Sequence, residues 1–341
     1  MRITSSMMTR SYAKNLNKSA NEMNDLNDKV TTGRKFSKGS EDPIGAIKAY
    51  KLRRQYKSTE TYDTNIGDAD SYLTMAETNL TEISSNCELV YTSYLKGITG
   101  TTASDDREII AKQLDNLQDS ILTSLNAKIG DRYVFGGTSK DEIPFTVNNG
   151  ELFYKGINVN DGSNSLGLSN ADGLAKLKEL ETETMNVDLG LGMKFDSTGL
   201  NKDTVFDMSM AGIKFMGYGT ADGTETGMPK NLYSLIGEIK TQLRSTNFSI
   251  DNIKPCISAY ETQKKQVLVN ITDLGSKTNY LEFLQTRNES DQDNINKKIL
   301  EVENVDNVDA ITDFKMQQYA YNAALSMGNK ILQKSFIDFM S

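Results

Sequence analysis

The chain has 341 residues, 37% of them hydrophobic, with no Trp, no His, a mean hydropathy of −0.50 and a formal net charge of −8. Without histidine there is no usual general base, no commonest metal ligand and no His-containing triad, so catalysis is disfavoured and no cofactor or metal site is expected. The acidic balance and the shortness of the basic clusters (Lys51-Leu52-Arg53-Arg54 and Lys264-Lys265) argue against nucleic acid, and no stretch approaches the roughly 20 apolar residues of a membrane span.

The first predicted element carries Tyr12, Leu16, Ser19, Met23, Leu26 and Val30 at steps of 4 and 3, a heptad seam with one small polar member. Gly33 stops it. A turn-rich connector ends at Ser40-Glu41-Asp42-Pro43, where Asp42 or Ser40 caps the next helix and Pro43 occupies its first turn. That second helix is predicted to run from Pro43 to about Lys96. Its seam is Tyr62, Ile66, Ala69, Leu73, Ala76, Leu80, Ile83, Cys87, Val90 and Tyr94. Cys87 thus reads as a small buried hydrophobe, without metal-ligand spacing to Cys256. A third helix opens at Ser104-Asp105-Asp106, capped by Ser104 or Asp105, with Ile110, Leu114, Leu117, Ile121 and Leu125 on one face.

From about Gly130 to Pro255 the pattern changes: 16 of the 25 glycines lie between Gly130 and Gly227, which marks a turn-rich insert. Short apolar runs alternate with turns, and Asn149-Gly150 is a hairpin candidate. Asp161-Gly162, Asp172-Gly173 and Asp222-Gly223 read as further turns, and a short helix is expected from Asn231 to Arg244. Gly190-Leu191-Gly192 and Gly217-Tyr218-Gly219 lack the third glycine of a dinucleotide loop and also read as turns. The four prolines, Pro255 included, are placed outside the long periodic stretches. Helical periodicity then returns with Val267, Ile271, Leu274, Thr278, Leu281, Gln285, Asn288, Gln292, Ile295, Ile299 and Val302. The last seam is Ile311, Phe314, Gln318, Tyr321, Leu325, Gly328, Leu332, Ser335 and Phe339.

The fold class expected is mainly α with a β-rich insert: a long antiparallel helical bundle or coiled coil formed by both chain ends, carrying a Gly-rich mixed α+β outer domain. The divisions are 1–42 (assembly helix and connector), 43–130 (outgoing rod), 131–256 (insert), 257–304 (returning rod) and 305–341 (C-terminal assembly helix). The terminal helices lie beyond the inner bundle and carry small or polar seam residues. A lone pair of such helices is marginal in water, so they are expected to become ordered on assembly. Leu16, Met23, Leu26 and Val30, with Phe314, Tyr321, Leu325, Leu332, Phe336 and Phe339, are the candidate assembly and partner-binding residues. No catalytic, cofactor or metal residue is assigned.

Several blocks resemble a known family. The opening Met1-Arg2-Ile3-Thr4-Ser5-Ser6-Met7-Met8, the run Thr32-Gly33-Arg34-Lys35, and Ser40-Glu41-Asp42-Pro43-Ile44-Gly45-Ala46 are similar to the flagellin superfamily. The proline in that last block, and Asp131-Arg132-Tyr133-Val134-Phe135-Gly136-Gly137-Thr138 with Pro144-Phe145, are similar to its hook–filament junction branch, the type-3 hook-associated proteins. Leu274-Gly275, Asn279-Tyr280-Leu281-Glu282, Gln317 to Leu325 and Ser335-Phe336-Ile337-Asp338-Phe339 extend the likeness to the C-terminal end.

The resemblance implies a structural adaptor of the bacterial flagellum. Its partners would be copies of itself, the type-1 hook-associated protein on the hook side, flagellin on the filament side, and a cytoplasmic export chaperone on the C-terminal helix. No run of seven apolar residues occurs in the first thirty, so no cleavable secretory signal is expected. The family implies export through the flagellar type III apparatus to an extracellular site. Rival readings are the filament subunit flagellin, and a surface-displayed binding module or enzyme. In the second, the insert would carry the activity; on the adaptor reading, removing residues 146–254 should leave motility largely intact.

Overall fold

A computed structural model describes residues 5–98, 103–139, 141–196, 199–201, 204–221 and 227–337. It forms two compact units: one from the described residues up to Glu60 together with those from Glu289 onward, the other from Thr61–Asn288. The fold class is the one expected, mainly helical at both ends with short strands between.

In the larger unit the Pro43–Gly97 helix (α2) presents one continuous buried face. Ile66, Ala69, Leu73, Ala76, Leu80, Ile83, Cys87, Val90 and Tyr94 are all buried, as the heptad spacing requires. The Ile250–Glu303 helix (α7) returns antiparallel to it. Tyr260 donates its hydroxyl to the Cys87 carbonyl at 2.9 Å, and Lys264 pairs with Glu88 at 2.5 Å while lying over the Tyr91 ring. The Ser104–Leu125 helix (α3) packs its Ile110, Leu114, Ile121 face on the Leu232–Arg244 helix (α6), whose side-chain cap is Asn231 accepting from Ser234 N–H. Lys240 and Arg244 both pair with Asp115, and Gln118 donates to the buried Tyr233 carbonyl at 2.7 Å. Those pairs hold the Asp115 carboxyl below its ordinary range although burial acts in the opposite direction.

The insert is built from short pieces. Phe145–Asn148 (β1) and Glu151–Tyr154 (β2) form a hairpin through Asn149 and Gly150, both at positive φ, and Ile157–Asn158 (β3) adds a third antiparallel strand. Its Phe145 and Tyr154 rings meet at 4.9 Å, and Phe135 meets Phe215 edge-on at 5.0 Å. The 131–138 block is the structural joint between this insert and the helices. Tyr72 of α2 donates to Val134 O, Arg132 donates to Gly137 O while stacking over Tyr72, and Gly137 N–H bonds Met210 O.

Four local expectations differ. α7 begins at Ile250, so Pro255 lies inside it; buried Ile253, Cys256 and Ile257 hold that turn although the proline supplies no N–H. Asp172-Gly173 is not a loop but the first turn of the Asn170–Glu181 helix (α4), capped by Ser169. A glycine is needed there because a Cβ would stand 2.0 Å from the Gly162 carbonyl oxygen. α3 starts at Ser104 with Ala103 preceding it and no side-chain cap. The insert is also not detachable: Phe135, Phe215, Ile236 and Leu243 belong to one hydrophobic cluster with the α2 and α3 seams. Excising 146–254 would therefore strip the helical core, and survival of motility is not a fair test of function. The expected turn at Asp222-Gly223 lies outside the described residues.

Cys87 and Cys256 are buried free thiols. Burial, partly offset by the Tyr260 hydrogen bond, pushes the Cys87 thiol from its ordinary 9.0 up to about 11. The folded chain therefore holds this proton more tightly than the unfolded one, and stability is lost as pH rises through the window from 9 to 11. Urea unfolding should show the Cys87 part of this slope, up to roughly 1.4 kcal/mol per pH unit, and Cys87→Ala should remove it. The same titrations read Leu80→Ala, a cavity in the α2 seam, as a loss of about 3 kcal/mol.

Candidate assembly interface

The smaller unit is organised by the pairing of the Ser5–Thr32 helix (α1) with the Asn307–Ile337 helix (α8). Gly33, at φ 68°, ends α1 by donating to Lys29 O. The chain leaving α1 is then clamped to the short link between α7 and α8: Lys35 N–H bonds Glu303 O at 2.7 Å, and Val305 N–H bonds Gly33 O at 2.9 Å. Lys35 Nζ reaches Glu301 O, and Arg53 forms an ion pair with Glu303 at 2.5 Å. The hydrogen bond to Glu303 and that carboxylate's charge both raise the Arg53 pKa. Asp42 accepts from Gly45 N–H at 2.9 Å, with Pro43 as the first residue of α2, as expected from the sequence.

Across the pair, Tyr12 is the best-defined knob. Its hydroxyl donates to Ala324 O at 2.9 Å. It fills the slot left by Gly328, where a Cβ would stand 2.0 Å from the Tyr12 oxygen. Further along, Gln317 donates to Ser19 Oγ at 3.1 Å and to Glu22 at 3.0 Å, so the polar residue in the α1 seam has a specific partner. Leu16, Met23, Leu26 and Val30 all lie on the facing side of α1, and each is partly buried, none fully. Phe314 and Tyr321 face them from α8 and are likewise partly buried.

Leu325 does not. The seam of α8 runs through Ala310, Phe314, Gln317, Tyr321, Ala324 and Gly328, and Leu325 is 41% exposed on a flank. Spacing alone allowed the neighbouring stripe through Ile311, Gln318 and Leu325, because α8 is apolar on several faces. Tyr12, which requires the small Ala324 and Gly328 beneath it, selects the other. Leu332 and Phe336 fall within α8, and Phe339 lies outside the described residues.

The two helices differ on their outer faces. That of α1 is mainly polar, with Arg10, Lys14, Asn17, Lys18, Asn21 and Asp25 exposed and Met7 the apolar exception. That of α8 is not: Met316, Ala320, Ala323 and Met327, at steps of 4, 3 and 4, form a second stripe open to solvent, and Tyr319 beside it is 78% exposed. A helix apolar on two faces with one partner is incompletely covered. Elsewhere, no group of three or more His, Cys, Asp or Glu positioned for a metal occurs among the described residues. In the insert, Glu183 hydrogen-bonds Thr138 and pairs with Lys155; against the upward push of burial these partners hold its carboxyl low and ionised, a structural contact rather than a poised acid.

The family model describing the bacterial flagellin N-terminal helical region matches residues 3–140. Over that stretch the chain is similar to the flagellins. It is 23% identical over 329 residues to flagellar hook-associated protein 3 of Escherichia coli strain K12, an alignment covering 95% of both chains. Among solved structures, a putative flagellar hook-associated protein from Vibrio parahaemolyticus aligns with a TM-score of 0.60 at 19% identity, covering 77% of this chain and all of that one. FlgL of Bacillus cereus aligns at 0.50 and 15%, covering 73% and 99%. These likenesses support the fold.

Gly328→Ala should force Tyr12 from its slot and loosen the pair by about 1–3 kcal/mol. Tryptic cleavage at Arg10, Lys14 and Lys18 should then accelerate by about tenfold for each 1.4 kcal/mol of local stability lost. Tyr12→Ala in the same chain should make the added methyl harmless, so the double variant should be no worse than Tyr12→Ala alone.

Proposed function

We propose that this chain is a structural adaptor of the bacterial flagellum, joining the hook to the filament through its terminal helices. The observation that carries this reading is the α1–α8 pair, whose large seam residues are none of them fully buried and whose α8 helix exposes a second apolar stripe. Such a surface is stable in water only when neighbours cover it. The full-length likeness to hook-associated protein 3 supplies the cellular setting.

On this reading the neighbours are copies of the chain, the type-1 hook-associated protein on the hook side and flagellin on the filament side. A cytoplasmic export chaperone shields α8 before the subunit leaves the cell, and the site of action is the extracellular flagellum. Leu16, Met23, Leu26, Val30, Phe314 and Tyr321 hold the two terminal helices together, and Leu325, on the flank, faces a neighbour. The role is mechanical, with no reaction assigned.

Deleting the gene should leave cells with hooks but no filaments, with flagellin shed into the medium, as seen by electron microscopy and immunoblotting. Filaments that persist on the deletion strain would refute the junction role. Purified chain that polymerises alone into long filaments would favour the filament-subunit rival.

A further inference from the structure

The charged residues of the smaller unit are segregated in a way that composition hides. From Arg34 to Lys57 there are eight basic and two acidic side chains; from Glu289 to Asp313 there are eight acidic and two basic ones. In a chain of net charge −8 the first segment is thus locally cationic. The sequence alone presents its Lys51–Arg54 part as an ordinary solvated helix face, but the fold groups it around an apolar groove. That groove, of about 440 Å³, lies along the first turns of α2 between Pro43, Ile47, Tyr50 and Arg54, with Gly39 and Lys51 at its edges. Ile47 and Tyr50 are well exposed.

Among the described residues, Lys48, Lys51 and Arg54 have no ion-pair partner, whereas Arg53 is satisfied by Glu303. On α7, Glu289 and Asp293 are exposed, unpaired and one turn apart, and exposed Leu300 falls two turns further on the same face, with exposed Lys297 on its flank between them. An acidic stripe with an apolar end and a basic-rimmed apolar groove are complementary, and both are repeated in every copy.

We propose that the groove of one copy receives the Glu289–Leu300 face of α7 from a second copy, with Lys51 and Arg54 against Glu289 and Asp293, and Ile47 and Tyr50 against Leu300. This contact is heterologous: groove and stripe are different surfaces, so each subunit has one of each to offer and the contact repeats around a ring or along a helix. It rests on the reading of the chain as an assembling subunit and adds where, and by what chemistry, one copy meets the next. The apolar stripe of α8 is left for other neighbours. Charge pairs at such a rim act mainly on specificity and association rate and weaken with salt.

The contact is tested with the full chain carrying a photo-reactive benzoylphenylalanine in place of Tyr50, mixed with isotopically labelled chain at high concentration. Mass spectrometry should locate intermolecular adducts within residues 289–300, and their yield should fall severalfold when salt is raised from about 0.05 to about 0.5 M. Adducts elsewhere, or none between copies, would overturn the pairing. In cells lacking the gene, the K51E/R54E variant should fail to retain filaments, and adding E289K/D293K should restore them; all four positions are exposed, and unchanged circular dichroism checks folding. If the wild-type gene restores filaments and K51E/R54E restores them equally, the pairing fails while the junction role stands. If the wild-type gene is not needed for filaments, the junction role fails and the cross-linking alone decides the pairing.

Discussion

Two helices laid side by side can cover only one face of each other. The smaller unit of this protein is governed by that limit. α1 and α8 meet along a narrow seam in which Tyr12 sits over Gly328 and Ser19 meets Gln317, and every large residue in it stays partly wet. A seam of this kind fixes register through shape and one polar pair but buries too little area to be robust alone. α1 answers with a polar outer face. α8 does not, and its Met316–Met327 stripe stays open to solvent. The functional reading follows from that imbalance more than from any single residue.

The larger unit shows the contrast. There α2, α3, α6 and α7 share one cluster with the insert's aromatic residues, and the α2 seam is sealed along its length. Its polar groups are used for positioning: the Tyr260 hydroxyl on Cys87 O, Gln118 on Tyr233 O, and Asp115 between Lys240 and Arg244. Because the insert contributes to this cluster, it cannot be treated as cargo hung on a helical frame. The one chain thus joins a core sealed by its own side chains to a pair of helices whose outer apolar surface is left uncovered.

Much of this was legible in the sequence where one pattern had no competitor. The 4-3 spacing of α2 named the buried seam from Ile66 to Tyr94 though it missed buried Tyr72 and Asn86, Asn149-Gly150 named its hairpin, and the helix expected from Asn231 to Arg244 is present, with Asn231 as its cap. Reading failed where local rules met tertiary demands. Asp172-Gly173 has turn chemistry, but the Gly162 carbonyl packs against that glycine inside a helix. Pro255 suggests a boundary, but buried neighbours carry the helix through it. On α8, periodicity named Phe314, Tyr321 and Gly328 correctly, but apolar residues on several faces let it choose Ile311, Gln318 and Leu325 over Ala310, Gln317 and Ala324, and only the bulk of Tyr12 reveals which are used. The clamp of Gly33 and Lys35 on Glu303 and Val305 is made by backbone groups and has no sequence signal at all.

The most direct measurement is amide hydrogen exchange on dilute, monodisperse chain, compared with the same chain in assembled flagella. The account requires that α1 and α8 exchange far faster than the Ile66–Tyr94 stretch of α2 in the free chain, and that both become strongly protected on assembly. Terminal helices as protected in the free chain as the α2 seam would contradict it, because their apolar surface would then need no neighbour.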